Sequence, residues 1–324
     1  MSAQGSGKGS FLTSVRRLLR SPRFRAENAL TTLVLATYLL LLISRLLDAT
    51  VISREDEYLS IILLQMLIFL VPAVVFCKLR GNDFTHRLQL RMFRPSHILL
   101  LITALLVMIS GCLLIGIYTG GLESSRNGFV LYDTFSADTT RGAGAVLYRL
   151  LAFAALPALC EELVFRGIVC ASLEERGTVC MVAFSSLYFG ILHFHPAQLP
   201  VYMFAGIVLC LVLFITRSLI ASMVVHFLYN VFGLFGQTAL SRFHAYTGND
   251  EMFAFLATLI LLISAAVFCG EASRIYHRYA RATLPPPDRP AVPLRELPAA
   301  LVRTLFPLVG IICVFVYIIA AIFA

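Results

Sequence analysis

Charge is scarce in this chain. Only 14% of its 324 residues are Asp, Glu, Lys or Arg, against about a quarter in an ordinary soluble domain. With 59% hydrophobic residues and a mean hydropathy of +0.86, that shortfall excludes a soluble globular domain. Segments of about ten residues that alternate apolar and polar are also missing, which excludes a transmembrane barrel. None of the eight cysteines sits in a CxxC pair. Neither a disulfide framework nor a thiolate zinc site is therefore supported, and the cysteines read as small core hydrophobes. HExxH is absent too, so spacing alone assigns no zinc site.

What the chain has is long apolar runs. Segments near twenty residues, each enough to cross a ~30 Å hydrocarbon layer, recur at about 29–47, 58–77, 97–118, 145–170, 178–195, 199–216, 219–237, 252–270 and 304–323. They predict an all-α fold, a polytopic transmembrane bundle of about eight or nine membrane helices. The stretch Leu284-Pro285-Pro286-Pro287-Asp288-Arg289-Pro290 cannot stay helical. With residues to 298 it reads as a semi-rigid linker that detaches the ninth helix. The chain divides into a basic segment 1–28, three N-terminal membrane helices with their loops over 29–144, a core over 145–240 and C-terminal helices over 241–324.

The net charge of +8 does not point to nucleic acid, and no such partner is expected. The arginines lie in short loops beside apolar segments, where they set topology. Basic loops at 78–94 and 271–303 alternate with a more acidic loop after Asp48 and a near-neutral one at 119–144. The expectation is a multi-pass protein of the plasma membrane with a cytoplasmic N-terminus. The first apolar run is too long for a signal peptide and reads as a retained span.

Ionisable residues inside a membrane segment are functional candidates, because even a single central charge costs at least ~2.5–3.5 kcal/mol on insertion scales. Glu161, Glu162 and Arg166 occur within six residues of one apolar run. Glu162 and Arg166 are four apart and share a helical face, so they can pair, while Glu161 lies roughly 100° round the helix. That division suggests one carboxylate for structure and one for chemistry. Phe189 and His193 are four apart in another apolar run, and His226 and Asn230 in a third. Depth along the helices puts Glu161, His226 and Asn230 roughly 10–16 Å from one side and His193 roughly 23 Å from it. One polar cavity opening to the cytoplasm is expected, provided the His193 helix bends, tilts or starts late.

Each element also has a plain reading. The Glu162–Arg166 pair can be a buried tie between helices, a His or Asn in a membrane helix can be interhelical glue, and Phe189 can be packing. The combination argues for chemistry. A carboxylate in low dielectric is a stronger base than in water and can activate water. His193 can position or polarise that water, and His226 with Asn230 can donate to an oxyanion. Alternatively Glu161, His193 and His226 bind zinc with one open position. Asn230 beside His226 and the positive charge of Arg166 tilt the balance towards no metal, leaving cofactors as none or zinc.

In this order the three clusters resemble the CPBP family of intramembrane proteases, which includes type II CAAX prenyl endopeptidases and bacteriocin-immunity proteins. Its EExxxR motif appears as Glu161 to Arg166, its FxxxH motif as Phe189 to His193, and its HxxxN motif as His226 to Asn230. The resemblance covers roughly 145–240. It implies hydrolysis of peptide bonds in a peptide or protein substrate that reaches the bilayer. Glu161, His193, His226 and Asn230 would be catalytic, with Glu162, Arg166 and Phe189 in support. The readings from other classes are a proton-coupled transporter and a non-catalytic immunity or scaffold protein.

Overall fold

In hydrocarbon, backbone amides and carbonyls must be satisfied without water, and a helix satisfies them within itself. The computed structural model describes residues 22–48, 62–128, 143–281 and 292–322, and no strand occurs among them. The helices are α1 (Pro22–Asp48), α2 (Ile62–Arg80), a short α3 (Asn82–His86), α4 (Ile98–Gly128), α5 (143–173) and α6 (Thr178–Leu192). They continue with α7 (Leu199–Thr216), α8 (Leu219–Phe235), α9 (Gln237–Thr247), α10 (Asp250–Arg281), α11 (Leu297–Leu305) and α12 (Leu308–Ile322).

All nine predicted apolar segments contain helix, but fewer are spans by themselves. Among the described residues, four helices are long and apolar enough to cross a membrane: Ile62–Arg80, Pro95–Thr119, Pro196–Thr216 and Asp250–Tyr279. Two bent pairs, α8 with α9 at 70° and α11 with α12 at 67°, raise the number to six, against the eight or nine expected. The difference has physical reasons. Helix α6 has 15 residues, about 22 Å at 1.5 Å per residue, which falls short of the layer. The apolar part of α1 is similarly short, and α5 carries Arg149, Glu161, Glu162 and Arg166. Two predicted loops are partly helical, since α4 runs on to Gly128 and α10 to Arg281. The basic stretch 1–21 and linker residues 284–291 lie outside the described residues.

Helix α5 is not uniform. Two π-helical stretches, Leu150–Ala155 and Leu163–Val169, flank the α-helical turns Leu156–Glu162. Pro157 follows the first and has no N–H to continue the ladder; Pro72 stands in the same relation to the π stretch Met66–Leu70 of α2. In the second, the Phe165 carbonyl accepts from Ser185 Oγ at 3.1 Å and from Cys170 Sγ at 3.3 Å. Side chains entering the i→i−4 ladder widen it in this way.

Two apolar clusters form the core. One gathers α1, α2, α5, α6 and α12; the other gathers α4, α7, α8 and α10. Helices α6 and α7 approach closely at Gly206, where an added Cβ would stand 2.9 Å from Ser186 Cα. Such small-residue contacts let membrane helices pack backbone to backbone. The ends of α2, α5, α7 and α10 come together through the loop before α4. Arg87 meets Glu174 at 3.4 Å, Arg91 Nε donates to the Arg217 carbonyl, and Arg274 Nη2 donates to the Ser96 carbonyl at 2.9 Å. One end of the bundle is therefore rich in arginine.

The two glycines of the α6–α7 contact are expected to respond differently. Alanine gains about 1 kcal/mol over glycine in a helix, while overpacking costs about 1–3 kcal/mol. Gly206→Ala meets backbone and should lower the unfolding midpoint in detergent. Gly190→Ala meets first the mobile end of Leu199, 2.8 Å away, and should be neutral or better. Equal stabilisation by both would show that the close approach at Gly206 imposes no constraint.

Candidate active site

The centre of the site is the Glu162 side chain, which is 0% exposed. Arg166 Nη1 donates to Oε1 at 2.8 Å, one turn along α5. His226 Nδ1 lies 3.0 Å from the same oxygen, and Ser222 Oγ donates to Oε2. Three donors from two helices converge on a group that, when ionised, only accepts. Arg166, 1% exposed, is held in turn: Nη2 donates to the Gly206 carbonyl at 3.2 Å, and its guanidinium lies 4.3 Å from the centre of the Phe189 ring. A buried charge persists only when it is paired and hydrogen-bonded, and here both partners are.

This arrangement fixes His226. Its Nδ1 hydrogen goes to Glu162, so Nε2 is the edge left for chemistry. That edge is 4.0 Å from Glu161 Oε2. Glu161 is 8% exposed and His226 5%. The Glu161 carboxyl and the Nε2 edge of His226 therefore face each other inside the buried site.

His193 is the residue after the last turn of α6, which stops at Leu192. The chain then reverses through Phe194, with φ of 51°, and Pro196 into α7. The predicted helix 178–195 is thus cut short at the histidine, and this brings His193 to the site. Its Nδ1 lies 2.8 Å from the Phe189 carbonyl. A carbonyl only accepts, so Nδ1 carries the hydrogen and Nε2 of the neutral ring is an acceptor. The imidazole stacks on Tyr202 at 3.8 Å and 15°, and Tyr202 donates to Gln198 Oε1 at 3.0 Å. Phe189 contacts both histidines, edge-on to His193 at 4.9 Å and to His226 at 5.8 Å.

His193, His226, Asn230 and Phe189 line one cavity of about 50 Å³, together with Met108, Gln198, Tyr202 and Tyr229. Asn230 is 6% exposed and its Nδ2 reaches the Ala154 carbonyl at 3.5 Å. Glu161 is not among the lining residues; it meets the Nε2 edge of His226, a residue that is. The cavity reaches Gln198, at the start of α7, and Gly233, near the end of α8. Those positions lie away from the arginine-rich end, whereas the depths of Glu161 and His226 along their helices predict an opening on the side that the basic loops mark as cytoplasmic.

The zinc reading needs Glu161, His193 and His226 to converge on ligand distances near ~2.0–2.2 Å. Among the described residues no group of three or more His, Cys, Asp or Glu could hold a metal ion. The Phe189 ring packs edge-on against both histidines, and each Nδ1 already has a partner. The residues as placed do not fit a zinc site, and no step is derived through one. Ser222, Tyr202 and Gln198 were missed in the sequence. Ser222 had a visible signal, since 222, 226 and 230 follow i, i+4, i+8 spacing on one helical face. Tyr202 and Gln198 had none, because only the fold places them against His193.

Residues 143–232 match the family model described as type II CAAX prenyl endopeptidase Rce1-like, a match consistent with the CPBP family. It runs from the start of α5 into α8 and contains Glu161, Glu162, Arg166, Phe189, His193, His226 and Asn230. The family suggests intramembrane CAAX protease activity. No curated protein and no solved structure matches the chain.

The buried pair is expected to behave as one unit. Removing one partner of a buried ion pair costs about 3–5 kcal/mol, because the other is left uncompensated. Glu162→Gln and Arg166→Met should each lose about that much in detergent unfolding. The double variant should lose clearly less than the two together; strict additivity would mean that the groups are not energetically coupled.

Proposed function

From the premise that residues 143–232 carry an Rce1-like type II CAAX prenyl endopeptidase domain, we propose that this chain is an intramembrane endopeptidase whose base is Glu161. The observation that carries the reading is the approach of Glu161 Oε2 to His226 Nε2 at 4.0 Å, beside a cavity lined by His193 and Asn230. A carboxyl that can take a proton stands next to a ring edge that can donate a hydrogen bond.

The reaction then runs as follows. A water at the Nε2 edge of His226 is within reach of Glu161 and loses a proton to it as its oxygen attacks the scissile carbonyl carbon. His193 Nε2, an acceptor, holds the water's other hydrogen. Negative charge develops on the former carbonyl oxygen, and His226 Nε2–H and Asn230 Nδ2 donate to it. Collapse breaks the C–N bond, and Glu161 returns the proton to the departing amine. Glu162 acts through His226: it holds the ring so that Nε2 points away from the ion pair and stabilises the imidazolium. The low dielectric of the bundle strengthens each of these interactions.

The substrate is a peptide or protein segment that reaches the membrane. We also read the arginine-rich end and the N-terminus as cytoplasmic, in the plasma membrane, because short basic loops stay on that side. Reporter fusions after Thr247 and after Arg281 should then report opposite faces, and the same face from both would refute the orientation.

The deciding experiment uses purified protein in detergent or proteoliposomes with membrane-anchored peptides, prenylated and unmodified, and reads cleavage by mass spectrometry. Glu161→Gln should retain the fold and lose turnover. Asn230→Ala should lower kcat by about 10²–10³ with KM little changed, the usual effect of removing one oxyanion donor. Full turnover by Glu161→Gln would mean that another group is the base.

A further inference from the structure

The cavity beside the histidines has a mouth, and one side chain there is oriented at one end only. Gln198 lines the cavity at the start of α7 and is half-buried, with His195, Pro196 and Ala197 exposed just before it. Its backbone amide donates to the His195 carbonyl at 3.1 Å, within the turn that reverses the chain after His193. Gln198 holds the N-cap position of α7, yet its side chain caps no amide of that helix. Ser, Thr, Asp and Asn are the usual residues for that task, so closing the helix does not account for the carboxamide.

The carboxamide is oriented through its oxygen. Tyr202, one turn further along α7, donates its hydroxyl to Gln198 Oε1 at 3.0 Å, and the Tyr202 ring lies flat on His193 at 3.8 Å and 15°. A glutamine also carries two N–H donors on Nε2. Among the described residues these meet no partner. Uncharged donors at a cavity mouth match an uncharged acceptor; an anion is better met by arginine. A peptide supplies such acceptors, one carbonyl per residue. Two contacts and one ring separate the carboxamide from His193. An extended chain advances ~3.3 Å per residue, so that distance corresponds to about three residues of substrate.

We propose that Gln198 binds the substrate main chain, with Nε2 donating to a peptide carbonyl within about three residues of the scissile bond. The inference rests on the peptidase reading and adds to it a residue that holds the peptide without touching the reacting atoms. Tyr202 then works at both ends. Its ring orients His193, and its hydroxyl orients the group that takes the peptide. Water and substrate are thereby aligned against one side chain. A glutamine that served only to brace Tyr202 would need nothing but its oxygen, because the hydroxyl asks for an acceptor.

A binding measurement separates this contact from hydrolysis. The full-length Glu161→Gln protein in proteoliposomes is titrated with a membrane-anchored fluorescent peptide. A series of peptides follows, in which each amide near the scissile bond is replaced in turn by an ester, whose carbonyl is a weaker acceptor. Gln198→Met and Gln198→Glu, each added to Glu161→Gln, should raise Kd about three- to tenfold, the weight of one neutral hydrogen bond. Gln198→Glu keeps an oxygen for Tyr202, so an unchanged Kd in that variant would reduce Gln198 to a brace and overturn the inference. One ester should weaken binding by a similar factor when Gln198 is present and have no such effect in Gln198→Met. Equal effects in both proteins at every position would overturn the contact, as would a failure of every peptide to bind. With Glu161 intact, Gln198→Met should raise KM by the same factor and leave kcat little changed. Peptides that bind with this ester dependence but are never cleaved would refute the peptidase reading and keep the contact. Cleavage without the dependence would refute the contact alone.

Discussion

A carboxylate with no exposed surface has to be surrounded by donors, and the architecture around Glu162 answers that requirement. Arg166 comes from the next turn of α5, while Ser222 and His226 come from successive turns of α8. Arg166 needs further acceptors and finds the Gly206 carbonyl on α7, at the place where the missing Cβ lets α6 and α7 close on each other. Its remaining face rests on Phe189 of α6. Satisfying one buried charge thereby joins four helices. In hydrocarbon no water is present to substitute for any of these partners.

The same network orients the reactive edges. His226 gives its Nδ1 hydrogen to the buried carboxylate and turns Nε2 towards Glu161. His193 gives its Nδ1 hydrogen to the Phe189 carbonyl and is clamped by Tyr202. Each imidazole therefore presents one defined nitrogen. Phe189 touches both rings and the guanidinium, so an apolar ring packs against all three polar groups. The two adjacent carboxylates differ in kind: Glu162 is saturated with donors, whereas Glu161 has a histidine edge at 4.0 Å.

Much of this was legible in the chain. The paucity of charge and the recurrent apolar runs indicate membrane helices whatever their packing. The i, i+4 relations of Glu162 with Arg166 and of His226 with Asn230 are properties of any helix that contains them. The end of α6 was not legible. Nothing in the run to His195 marks Leu192 as its last helical residue, and the turn at His193–Gln198 depends on how α6 meets α7. Which apolar segments cross singly was not legible for a related reason. An apolar segment reveals burial or membrane contact, but not whether it crosses alone, bends or stops inside the bundle.

The sequence by itself determined the class of fold, the three polar clusters and the helical face that each occupies, because hydropathy and a 3.6-residue period are local quantities. Only the tertiary structure decided which carboxylate is saturated, which partner each histidine Nδ1 meets and where the cavity lies. It also decided that the Phe189 ring packs against both histidines. Those properties depend on which atoms of distant helices come within hydrogen-bonding reach, and spacing along one chain does not specify a distance between two helices.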